Sequence, residues 1–414
     1  MSNDTQPEIR FPGFTEDWEQ RKLSELATMN ARIGWQNLRT SEFLDKGDYM
    51  LITGTDFKDG AIDYSNIHYV ERERFEQDKK IQISNGSILI TKDGTLGKVA
   101  YVEGLTMPAT LNAGVFNVRV KENLAIDSRY LFHYLKAPFL LKFADQRSTG
   151  GTIKHLNQNV LVEFPIPLPS LEEQHKVAGL LSNFDNTIAL HQRKLDLLKE
   201  TKKGFLQKMF PKNGAKVPEI RFPGFTEDWE ERKLGEIVRI SSGFTGDSSL
   251  NIGQYELTRI ETIATGQVNP NKVGYSNTEP DKKYLLDKGD ILFSNINSLS
   301  HIGKIALFDL DMKLYHGINL LRLQPMNVNS QFLYQSFQLN NHLEWAKSHA
   351  NQAVSQASIN QTELSKQVFL VPSQQEQQKI GTFFKQLDDI ITLHQRKLDL
   401  LKETKKGFLQ KMFV

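Results

Sequence analysis

The chain has 414 residues, of which 39% are hydrophobic, and its 51 basic and 49 acidic side chains leave a formal net charge of +2. This size is typical of two or three domains with their own cores, and the nearly balanced charge does not by itself indicate a nucleic-acid-binding protein. No apolar run approaches the length of a membrane span, and the opening MSNDTQPEIR lacks the features of a secretory signal, so we expect a cytoplasmic protein. The absence of cysteine excludes disulfides, thiol nucleophiles and thiolate metal sites.

Two blocks of the sequence occur twice. Residues 7–23 (PEIRFPGFTEDWEQRKL) return almost unchanged at 218–234, and residues 190–210 (LHQRKLDLLKETKKGFLQKMF) return unchanged at 393–413. The chain therefore consists of two tandem halves, whose middle parts diverge. Two readers of two different targets would need such divergence, and ordinary drift after gene duplication is the alternative.

The middle part of each half is predicted to be strand-rich. In the first half, LITGTDF, SILITK, GKVAYV and VFNVRV alternate or run apolar at strand length, with DG, NG and GT turn signals between them. SRYLFHYLKAPFLLKFADQ (128–146) follows with helical spacing and aromatic residues on one face, which we assign to the core. Residues 229–368 repeat similar strands in the same order, and SQFLYQSFQLNNHLEWAKS (330–348) corresponds to the helix.

The loops between these elements are polar and contain glycine. TKDGTLGK (91–98) corresponds to SNINSLSHIGK (294–304), and QRSTGGTIKHLNQ (146–158) corresponds to HANQAVSQASINQ (349–361). Such side chains suit base edges in the major groove, although polar loops are also common without a binding role. A further candidate edge contains Asn30, Arg32, Trp35 and Arg39 in the first half and Ser241, Phe244 and Thr245 in the second. The predicted DNA-binding residues are Arg32, Arg39, Lys92, Thr95, Lys98, Arg147, Thr149, Lys154, Thr245, Ser294, Asn295, Asn297, Ser300, His301, Lys304, Asn351, Gln352 and Ser355.

Each half ends in a segment that predicts a helix of roughly 40 residues, or about 60 Å. Ser170 and Ser373 are good N-caps, and Glu173 and Glu376 follow at the capping-box spacing. Apolar residues recur at alternating steps of four and three, which is the seam pattern of a coiled coil, so the two helices are expected to pack antiparallel as a pseudo-two-fold pair. The predicted pairing residues are Val177, Leu181, Phe184, Ile188, His191, Leu195, Leu198, Ile380, Phe384, Leu387, Ile391, His394, Leu398 and Leu401.

The helices also concentrate basic charge. Residues 191–210 carry six Lys or Arg and two Asp or Glu, a net of +4, and residues 394–413 repeat this sequence, which leaves about −6 (2 minus 8) for the rest of the chain. A merely solvated lysine-rich face is the alternative to a binding surface. His191 and His394, which interrupt the apolar seam, are expected to fix the register of the pair rather than to bind a metal.

Catalytic and cofactor signatures are missing from the sequence. It has no glycine-rich dinucleotide or phosphate loop, no NPPY-like motif of an amino-methyltransferase, no GxSxG and no HExxH. The acidic and lysine residues at 279–283 form a poor nuclease signal. We therefore expect a binding protein with no catalytic residue, metal or cofactor of its own.

Three motifs carry a resemblance to a known family. The motifs are FPGFTEDWEQRKLSEL with its copy, PIPLPSLEEQHKVAGLLSNFD, and VPSQQEQQKIGTFFKQLDD, followed by the repeated helix. Through them the sequence resembles the specificity (S) subunits of type I restriction-modification enzymes over essentially its entire length. The resemblance implies an α+β fold with two strand-rich target-recognition domains, at 1–168 and 213–371, separated by a spacer helix at 169–212 and a C-terminal helix at 372–414. It further implies a bipartite, asymmetric DNA target whose unspecified gap is set by the helices.

The same resemblance implies the partners. Two modification subunits, which carry S-adenosylmethionine and methylate adenine N6, would bind this non-catalytic chain, and ATP-dependent, Mg-dependent restriction subunits would join them. Two other interpretations stay open: a non-DNA scaffold with two ligand-binding domains on a coiled-coil spacer, and an enzyme with two duplicated active sites. The second explains less, because duplicated catalysis should preserve side chains in the middle parts rather than in the helices.

Overall fold

The computed structural model describes residues 6–33, 37–93, 96–147, 155–212, 214–247, 249–318, 320–352 and 356–413. The chain forms two compact units, the first containing Met1–His191 with Lys397–Val414 and the second containing Gln192–Arg396. Both divisions fall inside long helices, so each unit combines one strand-rich region with the beginning of one long helix and the end of the other. The domain boundaries at 168, 212 and 371 stay a prediction.

The first unit contains twelve described strands and begins the first long helix. Its strands are β1 (Glu19–Lys22), β2 (Ala27–Ala31), β3 (Met50–Ile52), β4 (Phe57–Lys58), β5 (Ala61–Ile62), β6 (His68–Tyr69), β7 (Gln82–Ile83), β8 (Ile88–Thr91), β9 (Val99–Tyr101), β10 (Ala109–Leu111), β11 (Val115–Val120) and β12 (Pro165–Leu168). Its α-helices are α1 (Leu23–Leu26), α2 (Arg72–Glu76), α3 (Ser128–Lys136), α4 (Phe139–Gln146), α5 (Gln158–Leu161) and the start of α6 (Leu171–Lys208).

The second unit contains eleven described strands. Its strands are β13 (Glu230–Lys233), β14 (Val238–Ser242), β15 (Tyr255–Leu257), β16 (Gly274–Ser276), β17 (Ile291–Phe293), β18 (Ile296–Asn297), β19 (Ile305–Leu307), β20 (Leu321–Pro325), β21 (Asn351–Gln352), β22 (Ala357–Ser358) and β23 (Val368–Val371). Its α-helices are α7 (Leu234–Ile237), α8 (Ser330–Phe337), α9 (Asn340–His349), α10 (Gln361–Leu364) and most of α11 (Gln374–Lys411).

Each unit has its own four-stranded antiparallel sheet, and the two sheets have equivalent strand orders. The order is β2-β11-β8-β9 in the first unit and β14-β20-β17-β19 in the second, and a two-stranded pair, β1-β12 or β13-β23, accompanies each sheet. In β8 the side chains of Ile88 and Ile90 enter the larger core, while Leu89 between them enters a smaller one. Because both faces are covered, this strand is a continuous apolar run in the sequence rather than an alternating one.

The predicted α+β class, with two tandem strand-rich domains and two long helices, is confirmed. The helical spacing over 128–146 corresponds to two helices, α3 and α4, which share this segment. Pro138 accounts for the break, since the residue before a proline avoids helical backbone angles, and Ala137 is extended with ψ 161°. The corresponding segment of the second unit also divides, at Leu339, which is extended with ψ 141°.

The two long helices begin where their caps predict. α6 starts after Ser170, whose Oγ accepts a hydrogen bond from the backbone of Glu173, and α11 starts after Ser373 in the same way. Each helix contains 38 residues, so each is about 57 Å long at 1.5 Å per residue. Within the described residues, no helix is both long and apolar enough to cross a membrane.

Each unit contains a contact between the two long helices. In the first unit, Phe184 of α6 packs on Phe408 of α11 with ring centroids 5.5 Å apart. In the second unit, Phe205 of α6 packs on Phe383 of α11 at 5.0 Å. In both units the early part of one helix thus lies against the late part of the other.

The ion pairs on this seam are equivalent in the two halves. Lys405 binds Asp185 in the first unit, and Lys202 binds Asp388 at 2.7 Å in the second. All the predicted pairing residues are buried or half-buried, His191 and His394 included. By contrast, Leu190, Leu197, Leu393 and Leu400 are each more than 60% exposed.

The repeated N-terminal motif holds the long helices at their ends. Arg10 donates two hydrogen bonds, of 2.7 and 2.9 Å, to the buried carboxylate of Glu173, and the backbone of Ile9 donates to Lys411 at the end of α11. In the second unit, Arg221 binds Glu376 at 2.7 and 2.8 Å and Ile220 donates to Lys208. These contacts explain why motif and helix recur together: each contact requires a residue from both.

Candidate nucleic-acid interface

In the first unit, the two polar loops predicted to bind DNA meet beside the end of β8. The backbone of Leu156 donates to the carbonyl of Lys92 at 3.1 Å, and His155 Nδ1 lies 2.6 Å from Asp93 Oδ1. Lys92 also donates from its backbone to Gly114, and its ammonium group lies 5.7 Å from the centre of the Phe116 ring. Loops about 60 residues apart in the sequence thus form one polar surface.

The remaining predicted residues of the first unit have different environments. Lys98 is exposed at the start of β9, and Arg39 is exposed before a 3-10 turn. The Arg147 guanidinium lies 3.8 Å from the centre of the Phe143 ring of α4, and the residue is exposed. These three side chains keep charge at the surface, where phosphate or base contacts require it.

Arg32 was predicted to bind DNA, but its side chain is buried. Only 2% of this residue is exposed, and its guanidinium donates to Leu111 O at 2.9 Å and to Thr110 Oγ1 at 3.3 Å. Burial lowers the pKa of Arg32, and the neighbouring Arg74 lowers it further. Its side chain therefore supports the strand β10 and has no surface for a base edge.

In the second unit, the corresponding loops form a small sheet. β18 and β21 both pair with β22, which brings the loop after β17 together with the loop after α9. The backbone of Ile359 donates to Asn295 at 2.9 Å, the counterpart of the Leu156 to Lys92 bond. Predicted residues that are exposed or half-exposed on this loop pair are Asn297, Ser300, His301, Lys304, Asn351 and Gln352.

Ser294 and Asn295 were also predicted to bind DNA, but both side chains are buried. Ser294 Oγ accepts a hydrogen bond from Asn297 Nδ2 at 3.1 Å, and Asn295 Nδ2 donates to Ile359 O at 3.3 Å. Their polar groups therefore hold the loops in shape. Thr245 is exposed on a separate edge, next to Phe244, which pairs with Gly317 through a backbone bridge.

Four predicted DNA-binding residues lie outside the described residues: Thr95, Thr149, Lys154 and Ser355, as does Trp35 of the candidate edge. Sequence reasoning missed Asp93, His155 and Ser298, which join or shape the loops. Their positions inside the polar segments were visible. The contact between Asp93 and His155 spans 62 residues, whereas Ser298 bonds to Asn297, Ser300 and His301 of its own loop.

A cleft of about 290 Å³ opens beside the loop pair of the second unit. One wall is aliphatic, with Ile260 and Ile263, and the other is polar, with Asn297 and His301. Lys304 closes one side by donating to Ala264 O at 2.9 Å. Within the described part of the chain, no three His, Asp or Glu side chains are placed to hold a metal ion.

Comparison with known proteins gives one family. Residues 15–200 and 226–403 match the model described as the type I restriction modification DNA specificity domain. The MjaVIII type I specificity subunit of Methanocaldococcus jannaschii is 24% identical over 412 residues, covering 95% of each chain. The MjaX specificity subunit of the same organism is 38% identical over 195 residues, which are 45% of this chain and 46% of that relative, so this match spans about half of either protein.

Solved structures share the fold. A type I restriction-modification S subunit from M. genitalium superposes with a TM-score of 0.68 at 17% identity, covering 99% of both chains. A chain from a study of complex assembly in a type I restriction-modification system gives a TM-score of 0.50 at 19% identity, covering 98% of this chain and 99% of that one.

Proposed function

Since the chain belongs to the type I restriction modification DNA specificity domain family, we propose that it is the sequence-specific DNA-binding subunit of a type I restriction-modification complex. Each unit reads one half of a bipartite, asymmetric target, and the long helices set the unspecified gap between the halves. The observation that carries this proposal is the meeting of two distant, divergent loops on the same strand frame in each unit.

The chemistry of the loops supports two different half-sites. The first unit offers the lysines Lys92 and Lys98, and lysine suits the N7 and O6 acceptors of guanine or a phosphate. The second unit offers Asn297, Asn351 and Gln352, whose amides suit the donor and acceptor pair of adenine. A common frame with different loop side chains is what an asymmetric target requires.

The surface of the long helices supports a scaffolding role. Each helix exposes two leucines seven residues apart, Leu190 with Leu197 and Leu393 with Leu400, outside the predicted seam. Exposed apolar side chains at heptad spacing, next to basic residues, are typical of a surface that accepts further helices. Two modification subunits bind here in our proposal, and restriction subunits join that complex in the cytoplasm.

The catalytic chemistry belongs to those partners in this proposal. S-adenosylmethionine is bound by the modification subunits, and ATP with Mg by the restriction subunits, while this chain holds no cofactor. Incubating the chain alone with labelled S-adenosylmethionine and DNA should give no methyl transfer. Transfer by the isolated chain would favour an enzyme with its own active sites.

The decisive experiment maps methylated adenines in DNA modified by the complete complex. Exchanging residues 18–165 for the corresponding segment of another family member should change one half of the target and leave the other half and the gap unchanged. The matched exchange of residues 229–368 should change only the opposite half. If either exchange altered both halves, or if no sequence-specific methylation depended on this chain, the proposed function would be wrong.

A further inference from the structure

The loop after β17 has three residues more than its counterpart after β8. Both loops have the same two anchors: Gly97 donates its backbone N–H to Thr91 O, and Gly303 donates to Ser294 O, each at 2.9 Å. Both glycines have positive φ, of 70° and 80°, and pack on the following helices. Five residues (92–96) lie between the anchors in the first unit and eight (295–302) in the second.

The additional residues lie at the tip of the loop. Lys92 corresponds to Asn295, because the two accept equivalent backbone bonds from Leu156 and Ile359. Leu96 corresponds to Ile302, since each precedes its anchor glycine and packs against the larger core of its unit. The extension therefore falls within residues 296–301, where the second unit has the sequence INSLSH.

Hydrogen bonds fix the shape of this tip. His301 Nδ1 lies 2.9 Å from both Ser298 Oγ and Ser300 Oγ, and the backbone N–H groups of His301 and Ile302 donate to Ser298 O at 2.9 and 3.0 Å. Asn297 Oδ1 accepts from the Ser298 backbone at 2.8 Å. The tip is thus a closed turn that needs no further partner to keep its conformation.

Leu299 occupies the middle of this turn with 40% of its surface exposed. A turn is usually occupied by Gly, Asn, Asp or Ser, and leucine offers none of the local hydrogen bonds that favour those residues. Its neighbours Ser298, Ser300 and His301 are all polar and exposed. An exposed apolar side chain in the middle of a hydrogen-bonded polar turn is suited to one apolar group on the surface that the turn meets.

The major groove of DNA carries one apolar group, the C5 methyl of thymine. We propose that Leu299 contacts a thymine methyl at one position of the half-site read by the second unit and so determines the base there. This inference rests on the proposed function. The first unit has Asp93-Gly94-Thr95 in place of the extension, so no matching leucine is expected to read its half-site.

The test uses the full chain in complex with its modification subunits and the target found by methylation mapping. Each thymine of the second half-site is replaced, one at a time, by deoxyuridine, which removes only the methyl group. Burial of one methyl contributes about 0.8 kcal/mol, so one replacement should weaken binding about four-fold. For Leu299→Ala, thymine and uracil duplexes should bind alike at that position, whereas Leu299→Met should retain part of the difference.

Two controls separate a local contact from a general defect. Met326→Ala removes another exposed apolar side chain of the same unit and should leave the thymine preference unchanged. Uracil replacements in the first half-site should be insensitive to Leu299→Ala. Any of four results would overturn the inference. They are equal binding of all the duplexes by the wild-type protein, a thymine preference that persists in Leu299→Ala, a second half-site without thymine, and loss of subunit assembly in Leu299→Ala. The first three leave DNA recognition intact, whereas absence of sequence-specific binding would refute the proposed function itself.

Discussion

Removing the charge of Arg10 should destabilise the first unit strongly, because it leaves a buried carboxylate without its main partner. Glu173 is 1% exposed, and its two oxygens accept from Arg10 at 2.7 and 2.9 Å and from Trp18 Nε1 at 3.2 Å. In Arg10→Met the tryptophan bond remains, but the buried negative charge is no longer compensated. Breaking a buried ion pair on one side typically costs 3–5 kcal/mol, and we expect about 3 kcal/mol here.

The assay is urea unfolding followed by tryptophan fluorescence and circular dichroism. Trp18 lies beside the perturbed carboxylate, so the transition of the first unit should move to lower urea while that of the second unit stays in place. Glu173→Gln should cost less than Arg10→Met, because the amide oxygen of this variant can still accept a hydrogen bond from Arg10. Arg221→Met provides the equivalent perturbation of the second unit through Glu376.

Arg72→Met serves as the matched surface control, since Arg72 and Glu76 form an exposed ion pair between adjacent helical turns. It should leave both transitions almost unchanged. Equal effects of Arg10→Met and Arg72→Met would refute the conclusion that the N-terminal motif holds the start of α6 through a buried charge.

Four further predictions concern pH, helix stability, salt and the target gap. Burial, with the nearby Lys405 ammonium, lowers the pKa of His133 from 6.5 to about 3, so this residue stays neutral in the fold while the unfolded chain takes up a proton below pH 6.5. The stability contributed by the neutral His133 is therefore lost as the pH falls from 6.5 towards 3. In urea titrations at several pH values, His133→Gln should reduce the slope of the unfolding free energy against pH by up to about 1.4 kcal/mol per pH unit. Gly204→Ala and Gly407→Ala should each raise stability by about 1 kcal/mol, because a Cβ at either position meets no atom within 4 Å; a lower thermal midpoint would contradict this. Lys98→Gln should weaken binding to target and unrelated DNA alike and lower the salt slope of log K by about 0.9, whereas loss of target discrimination would assign this lysine to a base instead. Inserting four residues, about 6 Å, into both long helices should lengthen the methylated target's gap by one or two base pairs, and an unchanged gap would disprove the spacing role.

The parts of the fold predicted from sequence depend on local signals. Ser170 and Ser373 cap the long helices because an N-cap hydroxyl reaches a backbone N–H only three residues away. The strands β8 and β17 were visible as short apolar runs between turn signals. Pro138 is also a local signal, and giving it more weight would have separated α3 from α4.

The candidate site was predicted as two loops per half, but not the orientation of its side chains. Ser294 and Asn295 belong to a polar segment, yet both are buried in the loop pair, where Ser294 accepts a hydrogen bond from Asn297 and Asn295 donates one to Ile359. Ile359 lies 64 residues from Asn295, so no local pattern reveals that contact. Inward and exposed polar residues look alike in a sequence.

The repeat, the two long helices and the divergence of the loops were determined by the sequence alone, because periodicity, caps and self-similarity are properties of neighbouring or identical residues. Tertiary structure decided that Arg10 binds Glu173 and that Arg32 supports β10. Each of these depends on the burial of a side chain by distant segments. Burial decides whether a charged group needs a partner and whether an apolar group has contacts. Only the folded chain determines which side chains are buried.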